Sequence, residues 1–165
     1  MPVVSSDTDR DALTLTFVAE FDASIDRVWQ LWEDPRQLER WWGPPTWPAT
    51  FVRHEFKEGG ESRYYMTGPE GEKAPGWWKI TRVDAPHVFE FDDGFSNEDG
   101  EPAPGEPVRG GVTFEEIDAG TRFTIVTTFV SEEQLDEMLK MGMKDGMREA
   151  LGQIDGLLAD ARQSH

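Results

Sequence analysis

The sequence predicts one α+β domain. A curved antiparallel sheet of seven strands wraps a long C-terminal helix, and two short helices follow the first strand. Three observations carry this. Strand-like segments follow one another in series across short turns rich in Gly, Pro and Asp, and strands joined so closely pair antiparallel. No strand–helix–strand alternation is present, which argues against a parallel doubly wound sheet. Apolar residues then recur at the helical period from Leu135 to Leu158. A sheet this curved cannot lie flat on one helix, so a cavity is expected between them.

The domain is expected over residues 13–161, after a flexible N-terminal segment at 1–12. Residues 14–21 alternate, with Leu15, Phe17 and Ala19 on one face, and read as a strand. Ser24 caps the next helix, whose Ile25, Val28, Trp29 and Trp32 share an apolar stripe. Asp34-Pro35 starts a second short helix, because proline's missing N–H costs nothing at the first helical position. Gly43-Pro44-Pro45 stops it. Strands follow at 50–56, 61–66, 76–83, 87–92, 108–117 and 121–129. Residues 94–106 are rich in Gly, Pro, Asp and Glu and read as a mobile loop. Ser131 caps the last helix, with Gln134 completing a capping-box pattern.

Composition narrows the function. Acidic residues number 33 and basic residues 16 among 165, a net charge of −17. Such a surface repels phosphate backbones and anionic lipids, so neither nucleic acid nor membrane is an expected partner. Cysteine is absent, which excludes disulfides, thiolate metal sites and a cysteine nucleophile. The N-terminal residues do not form a signal peptide, and no apolar run reaches a membrane span. A cytoplasmic protein is expected. Gly-x-Ser-x-Gly, phosphate-loop, dinucleotide and His-Glu-x-x-His patterns are all missing. No cofactor or metal is expected, and no catalytic residue can be assigned.

A specific set of residues resembles a known family. It comprises Ile25 to Trp29, Asp34-Pro35, Leu38, Trp41-Trp42-Gly43-Pro44, Gly59-Gly60, Gly76, Trp78, Ile80, Pro86 to Phe91, Val112 to Phe114, Gly120 to Thr124, Gly142-Met143, Gly146 and Leu157-Leu158. Trp-Trp-Gly-Pro is the most specific piece. The chain resembles the START-like, or SRPBCC, superfamily with its helix-grip fold, and most closely proteins related to the activator of the ninety-kilodalton heat-shock protein ATPase. The resemblance implies a single domain with an internal cavity for apolar small molecules. Relatives elsewhere in the superfamily are aromatic polyketide cyclases or lipid carriers, so fold alone does not decide function.

The resemblance also implies where the cavity lies. It places Trp41 and Trp42 at the mouth, with Trp32 on the helix before them. It turns Tyr64 with Met66, Trp78 with Gly76 and Ile80, and Phe89 with Phe91 inward. Met138 belongs to a methionine-rich helix that can shape itself to a ligand. Gly142 and Gly146, four apart on its apolar side, leave room for a ligand or a close backbone. His54 is a candidate polar group in the cavity. Each of these residues has a purely structural alternative as core packing. Asp92-Asp93 with Glu98-Asp99 lacks calcium-loop spacing and reads as a solvated acidic loop.

The expected function is binding of an apolar or aromatic small molecule. Two alternatives stay open. One is an acid–base enzyme of the cyclase or aromatase type using His54, Tyr64 or Arg63. The other is a chaperone-interacting stress-response module. A homodimer and a chaperone partner are also left open.

Overall fold

Eight strands form one antiparallel sheet in this computed structural model, which describes residues 3–96 and 107–163. They are β1 (Val3–Asp9), β2 (Thr14–Phe21), β3 (Ala49–His54), β4 (Glu61–Thr67), β5 (Lys73–Asp84), β6 (Val88–Phe95), β7 (Val108–Ile117) and β8 (Gly120–Thr128). Their spatial order is β1-β2-β8-β7-β6-β5-β4-β3. All seven expected strands are present. The eighth, β1, lies in the segment expected to be flexible and pairs with β2 from Val3↔Ala19 to Asp9↔Thr14. Glu98-Asp99 and most of the expected 94–106 loop lie outside the described residues.

Between β2 and β3 come α1 (Ile25–Glu33) and α2 (Pro35–Leu38). Ser24 Oγ accepts the Arg27 N–H at 3.3 Å. Asp34 ends α1 in an extended conformation and caps α2, accepting the Arg36 N–H at 2.9 Å. Gln37 ties the two together. It accepts from Arg27 at 2.6 Å and donates to Asp34 at 3.1 Å. The apolar stripe of α1 is buried as its spacing requires: Ile25, Val28, Trp29, Leu31 and Trp32.

The C-terminal helix is interrupted twice, giving α3 (Glu132–Lys140), α4 (Met143–Gly152) and α5 (Ile154–Gln163) rather than the single rod that the periodicity predicts. Ser131 Oγ accepts the Gln134 N–H at 3.1 Å, and Gln134 Oε1 accepts the Val130 N–H at 2.8 Å. The first break is at Gly142, whose φ of +87° is a left-handed conformation that side chains resist. Two ties then hold α4 and its end. Arg148 donates to Ser6 Oγ of β1 at 2.6 Å, and Gln153 donates to the Gly43 carbonyl at 2.7 Å.

The core is one cluster fed by the inner faces of the strands and the apolar sides of the helices. Aromatic rings dominate it. Trp32 sits at its centre, with ring centroids 4.7 Å from Trp41, 5.1 Å from Phe89 and 5.7 Å from Phe123. Its edge-to-face contacts suit the ring quadrupoles.

Candidate functional site

A β-bulge positions His54. The register of β3 on β4 slips between Phe51 and Arg53, so that Arg53 pairs with Arg63 and His54 with Ser62. One extra residue reverses the alternation and turns His54 inward, while Val52 points out and is 68% exposed. The imidazole is fully engaged there. Nε2 lies 2.8 Å from the Trp32 carbonyl, which can only accept, so Nε2 carries the proton. Nδ1 then accepts from the Ser62 hydroxyl at 2.7 Å. Burial lowers the His54 pKa and keeps the ring neutral, against the opposing pull of the Trp32 carbonyl. His54 therefore stitches the end of α1 to β3 and β4.

A second polar group lies further along the inner face. Tyr64 of β4 is paired with Gly76 of β5, which is paired with Phe95 of β6. The Tyr64 ring lies flat over Gly76, close enough that a Cβ there would sit 2.5 Å from the ring carbon Cζ. Its hydroxyl thereby crosses a whole strand and donates to Asp93 Oδ1 of β6 at 3.0 Å. The Asp93 side chain keeps a partial opening to the surface, yet protein surrounds its carboxyl. Desolvation raises its pKa to about 7, against the stabilising hydrogen bond from Tyr64. Burial, with the Asp93 charge beside it, pushes the Tyr64 hydroxyl well above its ordinary value. Asp93 can thus take up or release a proton near neutrality, while Tyr64 stays a phenol.

Trp42 and Trp78 enclose this pair. Their rings meet edge to face at 4.9 Å and lie 6.4 Å and 6.2 Å from the Tyr64 ring. Both indole N–H groups act on the Tyr64 hydroxyl, favouring negative charge on its oxygen. Both are buried, and neither completes a hydrogen bond. Trp41 differs, since its indole N–H donates to the Leu31 carbonyl at 2.9 Å.

Seven of the expected site residues come together here: Trp32, Trp41, Trp42, Tyr64, Trp78, Phe89 and Phe91 are all buried in the aromatic cluster. His54 adjoins it through Phe51 and Trp78. Met66 and Met138 are partly buried against it. Gly142 is not part of it, being exposed with nothing within 4 Å of where a Cβ would stand. Gly146 is half-buried, also with open space beside it. Two clefts open elsewhere. One of about 830 Å³ runs between Arg10 and α3, and one of about 270 Å³ lies along Glu61, Trp77 and Asp92. Trp78 and Arg63, the latter a candidate for acid–base chemistry, border the second of them.

Asp93 is the candidate residue that sequence reasoning missed. It was expected in a solvated loop, but β6 runs on to Phe95 and carries it inward. The signal was parity, because Phe89, Phe91 and Asp93 fall on one face of a strand. Among the described residues, no group of three or more His, Cys, Asp or Glu side chains is placed to hold a metal ion. No helix among them is long and apolar enough to cross a membrane.

Comparison with known proteins adds to this geometry. The profile of the family described as "Activator of Hsp90 ATPase homolog 1-like protein" matches residues 22–159. Protein Ms6760 from Mycobacterium smegmatis is 50% identical, with TM-score 0.88 over 95% of this chain and 97% of that one. A protein from Arthrobacter aurescens, solved by NMR, is 57% identical, with TM-score 0.91 over 96% of this chain and 92% of that one. The AHSA1 protein from Silicibacter pomeroyi shares the fold at 20% identity, with TM-score 0.73 over 88% of this chain and 97% of that one. No curated protein matches the chain.

Proposed function

The chain belongs to the family of activator of Hsp90 ATPase homolog 1-like proteins, and from that premise we propose that it binds a small apolar or aromatic molecule between the inner face of the sheet and the C-terminal helix. One observation carries this reading. A polar pair, Tyr64 and Asp93, is sunk in an aromatic surround beside a rim where Phe95 is 52% exposed and Met66 half-buried. Ligand sites combine a largely apolar wall with a few placed polar groups in this way.

The rings touch one another, so a ligand enters by parting them. The element suited to move is α4, whose named ties are the hydrogen bonds of Arg148 and Gln153. Affinity then falls by the fraction of molecules that are open. A cytoplasmic setting goes with this reading.

Acid–base chemistry is a second reading, favoured by an Asp93 carboxyl that titrates near neutrality. The chaperone-module reading calls for a contiguous exposed apolar patch. Among the described residues, the exposed large apolar side chains Val52, Phe95, Val130 and Met141 instead belong to different segments.

The test is a thermal titration with a neutral bicyclic aromatic, 2-ethylnaphthalene. A ligand that binds only the folded chain stabilises it by about 2.7 kcal/mol at a hundred times Kd. At that dose a rise in Tm of roughly 5–11 °C is expected, growing with dose. A flat Tm up to the solubility limit, repeated with larger neutral aromatics, would overturn the reading.

A further inference from the structure

Asp93 is a buried acid without a base. Buried charges in proteins are paired or hold metals. Among the described residues, the Asp93 carboxyl accepts from the Tyr64 hydroxyl, and no lysine or arginine pairs with it. The bases of the neighbouring strands lie on the other face of the sheet. Arg109 of β7 pairs with Asp92 at 3.8 Å, and Lys79 of β5 stands opposite Asp92 in register. Asp93 instead shares its face with aromatic residues. Trp78 of β5 stands directly across from it, and Phe91 and Phe95 flank it along β6. The Trp78 and Phe91 rings are 4.4 Å apart. This surround is not sealed, since the Asp93 side chain is partly open and Phe95 beside it is 52% exposed.

Resting on the reading above that a ligand binds at this face, we infer that the Asp93 carboxylate anchors an organic ammonium group, so that the ligand is an arylalkylamine rather than a hydrocarbon or an acid. An ammonium group supplies the missing countercharge, and its three donors suit a carboxylate with acceptor sites beyond the one that Tyr64 fills. The ligand's apolar body lies along the rings, and aromatic faces themselves attract cations. An acid would meet like charge. A metal ion needs several ligands, and no group of three or more is placed for one among the described residues. The net charge of −17 draws cations toward the molecule as a whole. In the empty site a proton stands in for the base, held up to a pH of about 7.

The probes are 2-naphthylmethylamine and 2-ethylnaphthalene, alike in shape, with an ammonium group in one where the other has a methyl. Affinities are read by NMR titration of ¹⁵N-labelled protein at pH 8, where Asp93 has given up its proton and the amine keeps its own. The amide signals of Asp93 and Phe95 report the site. The unaltered protein is expected to prefer the amine by about tenfold or more, the worth of a hydrogen bond to a buried charge. Asp93→Asn keeps the side chain's shape and an acceptor for Tyr64, and is expected to lose that preference. Asp92→Asn makes the same change of net charge on the outer face, and is expected to keep it. If the unaltered protein binds both probes equally, the anchor is overturned and the binding reading stands, whether or not the variants fold. If the preference survives in Asp93→Asn, or is lost equally in Asp92→Asn, the anchor is likewise overturned. If neither probe binds, both readings fall.

Discussion

Tyr64 reaches over Gly76 to donate a hydrogen bond to Asp93, 3.0 Å away and two strands along the sheet. The reach depends on a missing atom, since any Cβ at Gly76 would meet the Tyr64 ring. Three residues on three strands thus form one unit: a spacer, a donor and a desolvated acid.

Gly76→Ala tests the spacer. Overpacking a rigid site costs about 1–3 kcal/mol, and chemical denaturation is expected to show a loss in that range. Gly111→Ala is the control. Its Cβ would meet only Glu90 Cγ, at 3.9 Å, so no comparable loss is expected. Equal effects at the two positions would mean that the Tyr64 ring is free to move aside.

Asp93→Asn tests the acid through pH. The folded pKa of Asp93, about 7, lies above its ordinary 3.8. The folded state therefore holds the proton more tightly. That contribution is complete below the unfolded value and is lost as pH rises through 7. Asparagine cannot titrate, so the variant is expected to gain on the wild type between pH 4 and 7 and to level off above. Between pH 5 and pH 8 the relative gain is about 2–3 kcal/mol. A stability difference independent of pH would contradict a desolvated Asp93.

His54 acts in the opposite direction. Its pKa is lowered by burial, so its contribution is complete above the unfolded value near 6.5 and is lost as pH falls through the folded one. In an Asp93→Asn background, His54→Phe is expected to remove the acid-side fall in stability that begins below about pH 6.5. It also leaves the Trp32 carbonyl and the Ser62 hydroxyl without their partner, which costs about 1–3 kcal/mol for each group left unsatisfied. Urea melts at pH 5 and pH 8 separate the two effects.

The two helix glycines are expected to respond with opposite signs. Gly142 has φ +87°, where any side chain is strained, so Gly142→Ala is expected to lose about 1–2 kcal/mol. Gly146 lies inside α4 with open space beside it, so Gly146→Ala is expected to gain about 1 kcal/mol. Thermal melts of the pair check both. A gain at Gly142 would mean that the helix is continuous there.

Much of this architecture is legible in the sequence because it is local. The alternation of 14–21, the Asp34-Pro35 restart and the Ser131 cap each appear where short-range chemistry puts them. The missed features depend on distant partners. The polar Val3–Asp9 stretch has no apolar face and becomes a strand because β2 offers it an edge. Nothing near Val52 announces the bulge that turns His54 inward. The apolar period of the last helix runs straight through Gly142, since a helix break that keeps its face leaves the pattern intact. Asp93 was hidden by its acidic neighbours, though its parity with Phe91 placed it. The unpaired indoles of Trp42 and Trp78 exist only in the assembled core.

Native mass spectrometry of the protein, purified gently from its own host, bears most directly on ligand binding at this face. The expected result is a noncovalent adduct that dissociates on denaturation and, added back to stripped protein, raises its Tm in proportion to dose. Protein found only at its sequence mass, with a Tm that no neutral aromatic compound raises, would contradict a ligand site between the sheet and the C-terminal helix.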